Sequence, residues 1–330
     1  MRKVNAHGIT MKLLPSGVIA MNMLLLRVVL PLVAAFALAA CGAGGGTTST
    51  TSSSGSTSSS SGSTSSSSGS TSSSSGSTGS SSGSTSSSSS GGASMANNAK
   101  IIFLHHSTGG VIWGGGVETW VSAYNAAHAK SYQIVERAFP ASSPYGWNNY
   151  PYDYWNIWVN HAGAQAYLNE PTLEMLTTEY QVIVWKHCFP VSSIAADTGS
   201  ASVSSATQTL ENYKLQYAAL KTKMRSFPNT RFIVWTGSAL IQSETNSASA
   251  TRAQEFATWV KNTWDEPGDN IFVWDFRQLE TAGGLYLLPQ YSAGDSHPNS
   301  TLANMIAPWF GQRIVDVIEG RGDSGSITGH

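Results

Sequence analysis

Five short, nearly unbroken apolar runs punctuate the chain after residue 99. They are KIIFL (100–104), YQIVE (132–136), YQVIVW (180–185), RFIVW (231–235) and NIFVW (270–274). Runs of this length, rich in Val, Ile, Phe and Trp, suit strands buried on both faces. Longer stretches near 116–129, 160–177, 205–226 and 250–264, and a last one near 300–318, predict helices. In the third of these, Leu210, Tyr213, Tyr217 and Leu220 recur at helical spacing. Such alternation predicts an α/β fold, a three-layer α/β/α sandwich around a central, mostly parallel five-stranded sheet. Ligands of such sheets bind beyond the carboxyl ends of the strands, so the loops after each strand carry the interest.

The pattern changes upstream. Basic residues Arg2, Lys3, Lys12 and Arg27 precede the apolar run VVLPLVAAFALAA at 28–40. That run is about 13 residues long, short of the roughly 20 that a spanning helix needs, and reads as an export signal. It ends in Leu38-Ala39-Ala40-Cys41, which resembles a bacterial lipobox; the resemblance implies lipidation of Cys41 and membrane anchoring in the cell envelope. Residues 43–94 repeat units such as GSTSSSS and offer almost nothing apolar to bury, so a disordered tether is expected. A flexible coil of that length would reach roughly 40 Å. The expected organisation is a signal peptide (1–40), the lipidated Cys41 with its linker (41–98), a working domain (99–318) and a polar tail (319–330).

Composition narrows the chemistry. Net charge is −1 and only 11% of residues are charged, which leaves no basic stripe to neutralise phosphates and argues against nucleic acid as a partner. Cys188 is the one cysteine besides Cys41, so no disulfide can close within the mature domain.

The first strand runs into HHSTGGVIWGGG, which places Ser107 three residues beyond the strand and ahead of a glycine-rich approach to a helix. Backbone N–H groups there could stabilise an oxyanion, but serine is also a common helix cap. The glycines at 109, 110, 114, 115 and 116 miss the G-x-G-x-x-G spacing of a dinucleotide site, for which Glu136 would have been the ribose ligand. His105 and His106 are adjacent on an extended segment and point to opposite faces, a poor start for a metal site. The reading requires no cofactor and no metal. After the last strand a long loop reaches Asp295-Ser296-His297-Pro298-Asn299. A serine needs a positioned base and a group that orients the base, and His297 with Asp295 could supply both.

On these residues, 99–318 resembles the SGNH, or GDSL-like, hydrolase superfamily. The resemblance rests on FLHHSTGG, DSHPN and the order of elements. It implies a flavodoxin-like α/β/α esterase with Ser107 as nucleophile, His297 as base and Asp295 as its partner. It also implies oxyanion donors at the N–H of Ser107 and of Gly146, within YGWNN. The chain departs from the pattern twice. Asp295 lies two residues before His297 where the family has three, so a Ser–His dyad is an open alternative. No Gly-x-Asn-Asp follows the third strand; His187 and Cys188 stand there, and an imidazole is the better donor of the two. The implied activity is hydrolysis of a carboxylic ester, including acyl groups on a carbohydrate. A surface carbohydrate-binding or adhesion module with catalysis lost is the alternative.

Residues 139–159 crowd seven Tyr and Trp side chains into a short span. Trp155 and Trp158, at i and i+3, suit the core face of a helix. Trp147 and Tyr150, between prolines, are expected to line a cleft. The terminal RGDSGSITGH, with a second Gly-Asp-Ser, is expected to be a disordered polar end.

Overall fold

The computed structural model describes residues 92–330 apart from Ser142 and Trp147. The signal segment, Cys41, most of the Ser/Gly/Thr tract and the expected cleft residue Trp147 lie outside the described residues.

Five parallel strands form one sheet: β1 (Lys100–His105), β2 (Gln133–Ala138), β3 (Val182–Trp185), β4 (Arg231–Trp235) and β5 (Ile271–Trp274). Their spatial order is β2-β1-β3-β4-β5, the flavodoxin-like arrangement. Among the described residues eight α-helices accompany the sheet, in chain order: α1 (Thr108–Gly114), α2 (Val117–His128), α3 (Pro151–Trp155), α4 (Leu173–Glu179), α5 (Leu210–Arg225), α6 (Ser247–Trp259), α7 (Phe276–Thr281) and α8 (Ser300–Ile318). Two of them continue into wide π-turns, Asn156–Asn160 after α3 and Val260–Trp264 after α6.

Strand side chains alternate between two cores, as the period of a strand demands. Ile102, Leu104, Ile183, Trp185 and Phe232 pack with Tyr154 and Trp158 of the α3 segment, Tyr213 and Tyr217 of α5 and Phe256 of α6. Ile101, Phe103, Val184 and Trp235 pack on the opposite face with Ile112 of α1, Val121 of α2 and Ile306 and Phe310 of α8. The result is the three-layer α/β/α sandwich.

Three expectations are corrected. The helix expected over 160–177 is divided: helix occupies 151–160 and then only α4. Between them Leu168 and Asn169 both take positive φ in a tight turn closed by Tyr167 and Glu170, and Pro171 follows. Glycine-rich 108–114, read as a loop, is helical. The tail is not a loose end. The carbonyls of Ile327 and Thr328 accept from the Asp275 backbone and the Trp274 indole, Arg313 donates to the Gly322 carbonyl, and the His330 ring meets Trp309 edge-on. Gly322 lies so close to Phe272 that a Cβ would stand 2.2 Å from its ring.

Candidate active site

Ser107 leaves β1 with φ 50° and ψ −110°, a conformation that few non-glycine residues adopt and one that costs on the order of 1–3 kcal/mol. Its surroundings hold it there. Gly109 lies against His105, where a Cβ would come within 2.5 Å of the histidine Cβ, so only glycine lets α1 start this close to the strand. Gly115, at the other end of α1, approaches the Ala303 carbonyl of α8 as tightly, which locks the serine loop to the helix that follows His297. Ser107 makes no side-chain cap bond to α1, and its exposed hydroxyl is hydrogen-bonded to Nε2 of His297.

The histidine comes from the loop before α8. Its Nδ1 lies 3.0 Å from Oδ2 of Asp295, and its backbone N–H donates to Oδ1 of the same carboxylate at 2.8 Å. One carboxylate thus holds both the ring and the main chain of residue 297. These bonds favour its charged form and hold its pKa below the ordinary aspartate value, the backbone bond most of all. The two-residue spacing therefore reaches the imidazole. Further bonds fix the loop: Ala293 N–H to the His297 carbonyl, Ser292 Oγ to the Asp295 carbonyl, and the Asn299 amide to the Gln290 and Ser292 carbonyls. Asn299 also caps α8 through the Leu302 N–H. The edge of the His297 ring meets Phe189, with centroids 5.1 Å apart.

Ser296, the serine of Gly-Asp-Ser, points the other way. It is buried, donates to Glu244 and accepts from the Ile241 N–H at 3.0 Å. That serine ties the loop to the connection after β4.

The remaining residues divide. Gly146 has φ +76° and lies half-buried on the rim of a cleft shared with Tyr145 and Tyr152. Tyr150 belongs to the floor of that cleft; its ring is buried and its hydroxyl donates to the Ala206 carbonyl. Trp155 and Trp158 are core residues, as expected. His187 is displaced from the role of oxyanion donor: its ring is buried among Tyr154, Trp185 and Tyr217, with burial pushing its pKa well down. Cys188 is a buried free thiol whose backbone N–H donates to the Asn149 carbonyl. His105 and His106 diverge, as adjacent strand residues should: His105 bonds Glu136 at 2.8 Å and His106 bonds the Pro140 carbonyl. Burial, assisted by the nearby Lys186 charge, pushes the His105 pKa down to about 3, so its contact with Glu136 is a neutral imidazole's hydrogen bond rather than an ion pair.

Sequence reasoning missed the polar groups beneath the serine loop. Lys186 follows β3 directly, is buried, and donates to the His106 carbonyl at 3.1 Å, one residue before Ser107. Buried Glu280 accepts from the Ala239 N–H, and burial raises its pKa to about 8. A lysine closing an all-apolar strand was the one sequence signal for this layer.

No known protein-family model matches the chain, and no curated protein matches it.

Proposed function

We propose that residues 99–318 form a serine hydrolase acting on a carboxylic ester. One observation carries the reading: an exposed serine in a strained turn after the first strand shares its hydroxyl with an imidazole whose other nitrogen meets a carboxylate. The three residues come from opposite ends of the domain, 190 positions apart, and their arrangement has the order of roles that a serine nucleophile needs.

In this reading Ser107 Oγ attacks the ester carbonyl carbon while Nε2 of His297 takes the hydroxyl proton. Asp295 accepts from Nδ1–H and stabilises the imidazolium. The oxyanion meets the backbone N–H groups of Ser107 and Gly146, fixed dipoles that need no rearrangement. As the C–O bond to the alcohol breaks, Nε2–H returns its proton to the leaving oxygen. Water then repeats the cycle on the acyl-serine: His297 takes a water proton, the hydroxide adds to the carbonyl, and Ser107 leaves reprotonated with the free acid as product. The upstream lipobox-like sequence extends the proposal to an exported, lipid-anchored protein of a bacterial envelope.

A fluorophosphonate probe and a short p-nitrophenyl ester test the reading together. The full chain is expected to be labelled and to hydrolyse the ester. Ser107→Ala is expected to lose labelling and to lower kcat by on the order of 10⁵-fold. An unlabelled wild-type chain, or a Ser107→Ala variant of full activity, would overturn the assignment. A binding module with catalysis lost draws its case from the shortened Asp-to-His spacing and the missing asparagine after the third strand; the 3.0 Å contact weighs against the first.

A further inference from the structure

We infer that the cleft between α3 and the turn at Tyr167–Glu170 binds a neutral sugar ring and carries the alcohol part of the ester to Ser107. The cleft has a volume of about 340 Å³, within the lower range of small-molecule sites, and Tyr145, Gly146, Asn148, Tyr152, Asp153 and Tyr167 line it. Its chemistry selects among ligands. Among the described residues no lysine or arginine lines it, and the one carboxylate, Asp153, is buried and already accepts from the Tyr145 hydroxyl and the Tyr150 N–H. A phosphate or carboxylate ligand would meet no counter-charge. A wholly aliphatic ligand would strip water from amides and phenol hydroxyls without replacing their hydrogen bonds, at a cost. A pyranose ring offers both halves of the match, an apolar C–H face for tyrosine rings and hydroxyls for the amide and phenol groups.

The cleft is also held in shape. Asn156 donates to the Tyr145 hydroxyl and accepts from Asn160, and these bonds continue the Asp153 contacts along one helical face. The Tyr167 ring stacks flat on His161 with centroids 3.5 Å apart and meets Tyr145 edge-on at 6.0 Å. Opposite α3, the turn holds Leu168 at φ +48° and exposes it on the cleft rim. A leucine rarely adopts that conformation, and strain of this kind persists where the surrounding structure fixes it, often at binding surfaces.

Its position joins it to the triad. Gly146, the second proposed oxyanion donor, is part of the cleft wall. Three residues on, Asn149 donates to the Phe139 carbonyl and accepts from the Cys188 N–H, while the Phe139 N–H donates to the His105 carbonyl. The span from Gly146 to this anchor is at most roughly 11 Å. With Gly146 as the second oxyanion donor, a sugar in the cleft lies beside the oxyanion position.

The inference rests on the esterase reading for the reaction, but not for the binding, and one set of measurements separates the two. Calorimetric titration of the Ser107→Ala full chain with neutral xylo-, cello- and chito-oligosaccharides is expected to show binding to at least one series. Tyr152→Ala and Tyr167→Ala should each weaken it about tenfold, while the corresponding Phe variants, which keep the ring, should restore most of it. In turnover, Tyr152→Ala should lower kcat/KM for the O-acetylated form of the bound oligosaccharide about tenfold more than for p-nitrophenyl acetate. Tyrosine-dependent binding in a chain that no fluorophosphonate labels would keep the subsite and remove the esterase. Ester hydrolysis without binding to any series, or binding indifferent to both tyrosines, would overturn the subsite and leave the esterase standing.

Discussion

The two loops that meet at the candidate site are held in place by opposite means. The serine loop is fixed from beneath: buried His105 and Lys186 lie under it, Gly109 admits no side chain, and the strained Ser107 backbone is what remains once those contacts are satisfied. The histidine loop is buried only at Ser296 and Pro298 within 292–299. Asp295 is 55% and His297 35% exposed at the side chain, and a mesh of hydrogen bonds among 290–299 does the holding. Packing is cooperative and punishes any change of volume, whereas an exposed mesh fails one bond at a time. Changes in the serine loop should therefore appear as lost stability. Changes in the histidine loop should appear as lost rate.

Asp295→Asn is the sharpest break of that contrast after removal of the proposed nucleophile itself. An amide can present its NH₂ to the ring and favour the wrong tautomer, and it no longer stabilises the imidazolium. The expected loss in kcat is on the order of 10²-fold, at the low end of acid–base contributions because an exposed carboxylate is screened by solvent. Thermal unfolding should barely move; a kcat within twofold of wild type would instead favour the Ser–His dyad. Gly109→Ala makes the reciprocal test. Its methyl group would collide with His105 and should cost about 1–3 kcal/mol of stability, seen as a lower denaturant midpoint. Unchanged stability would show that the loop yields and is not fixed by packing.

The same contrast explains what the sequence made legible. Strands and α8 were readable because each is an apolar run with one meaning: α8 begins and ends at the expected residues, and the five strands depart by three residues at most. Helix α1 was hidden because Gly109, Gly110 and Gly114 argue against a helix locally; the strand lying against Gly109 explains the first, and no close neighbour explains Gly114. The division of 160–177 was hidden because Leu168, apolar in sequence, in fact sits exposed in a positive-φ turn. Ser107, Asp295 and His297 were legible from their places relative to strands and the last helix. Lys186 and Glu280 were not, since the groups that make their burial tolerable, the His106 carbonyl and the Ala239 N–H, lie 80 and 41 positions away. The polar tail misled because several of its attachments run through backbone carbonyls, to which composition is blind.

Acid should find the serine loop before the histidine loop. His105 is neutral and buried with its pKa near 3, whereas the unfolded chain would protonate it at about 6.5. The unfolded state therefore binds the extra proton between those values, so the contribution of His105 to stability is complete above pH 6.5 and is lost as pH falls toward 3. From pH 6.5 to 5 the wild type should lose about 2 kcal/mol relative to His105→Gln, which cannot titrate. Parallel urea titrations at the two pH values read the difference directly. Equal pH slopes in the two proteins would mean that His105 is not held neutral.

The smallest effect is the most discriminating between the two serines. Ser296→Ala removes a hydroxyl that accepts from the Ile241 N–H and donates to Glu244, leaving the Ile241 N–H without that acceptor. A lost hydrogen bond of this kind costs about 1 kcal/mol, and the carboxylate of Glu244, on an exposed connection, can turn to water instead. The loop keeps its other bonds, including both from His297 to Asp295. Fluorophosphonate labelling should therefore persist at Ser107, slowed by less than about tenfold if the mesh loosens. Should labelling vanish in Ser296→Ala and survive in Ser107→Ala, the Gly-Asp-Ser serine would be the nucleophile after all. The roles of the two loops would then have to be exchanged.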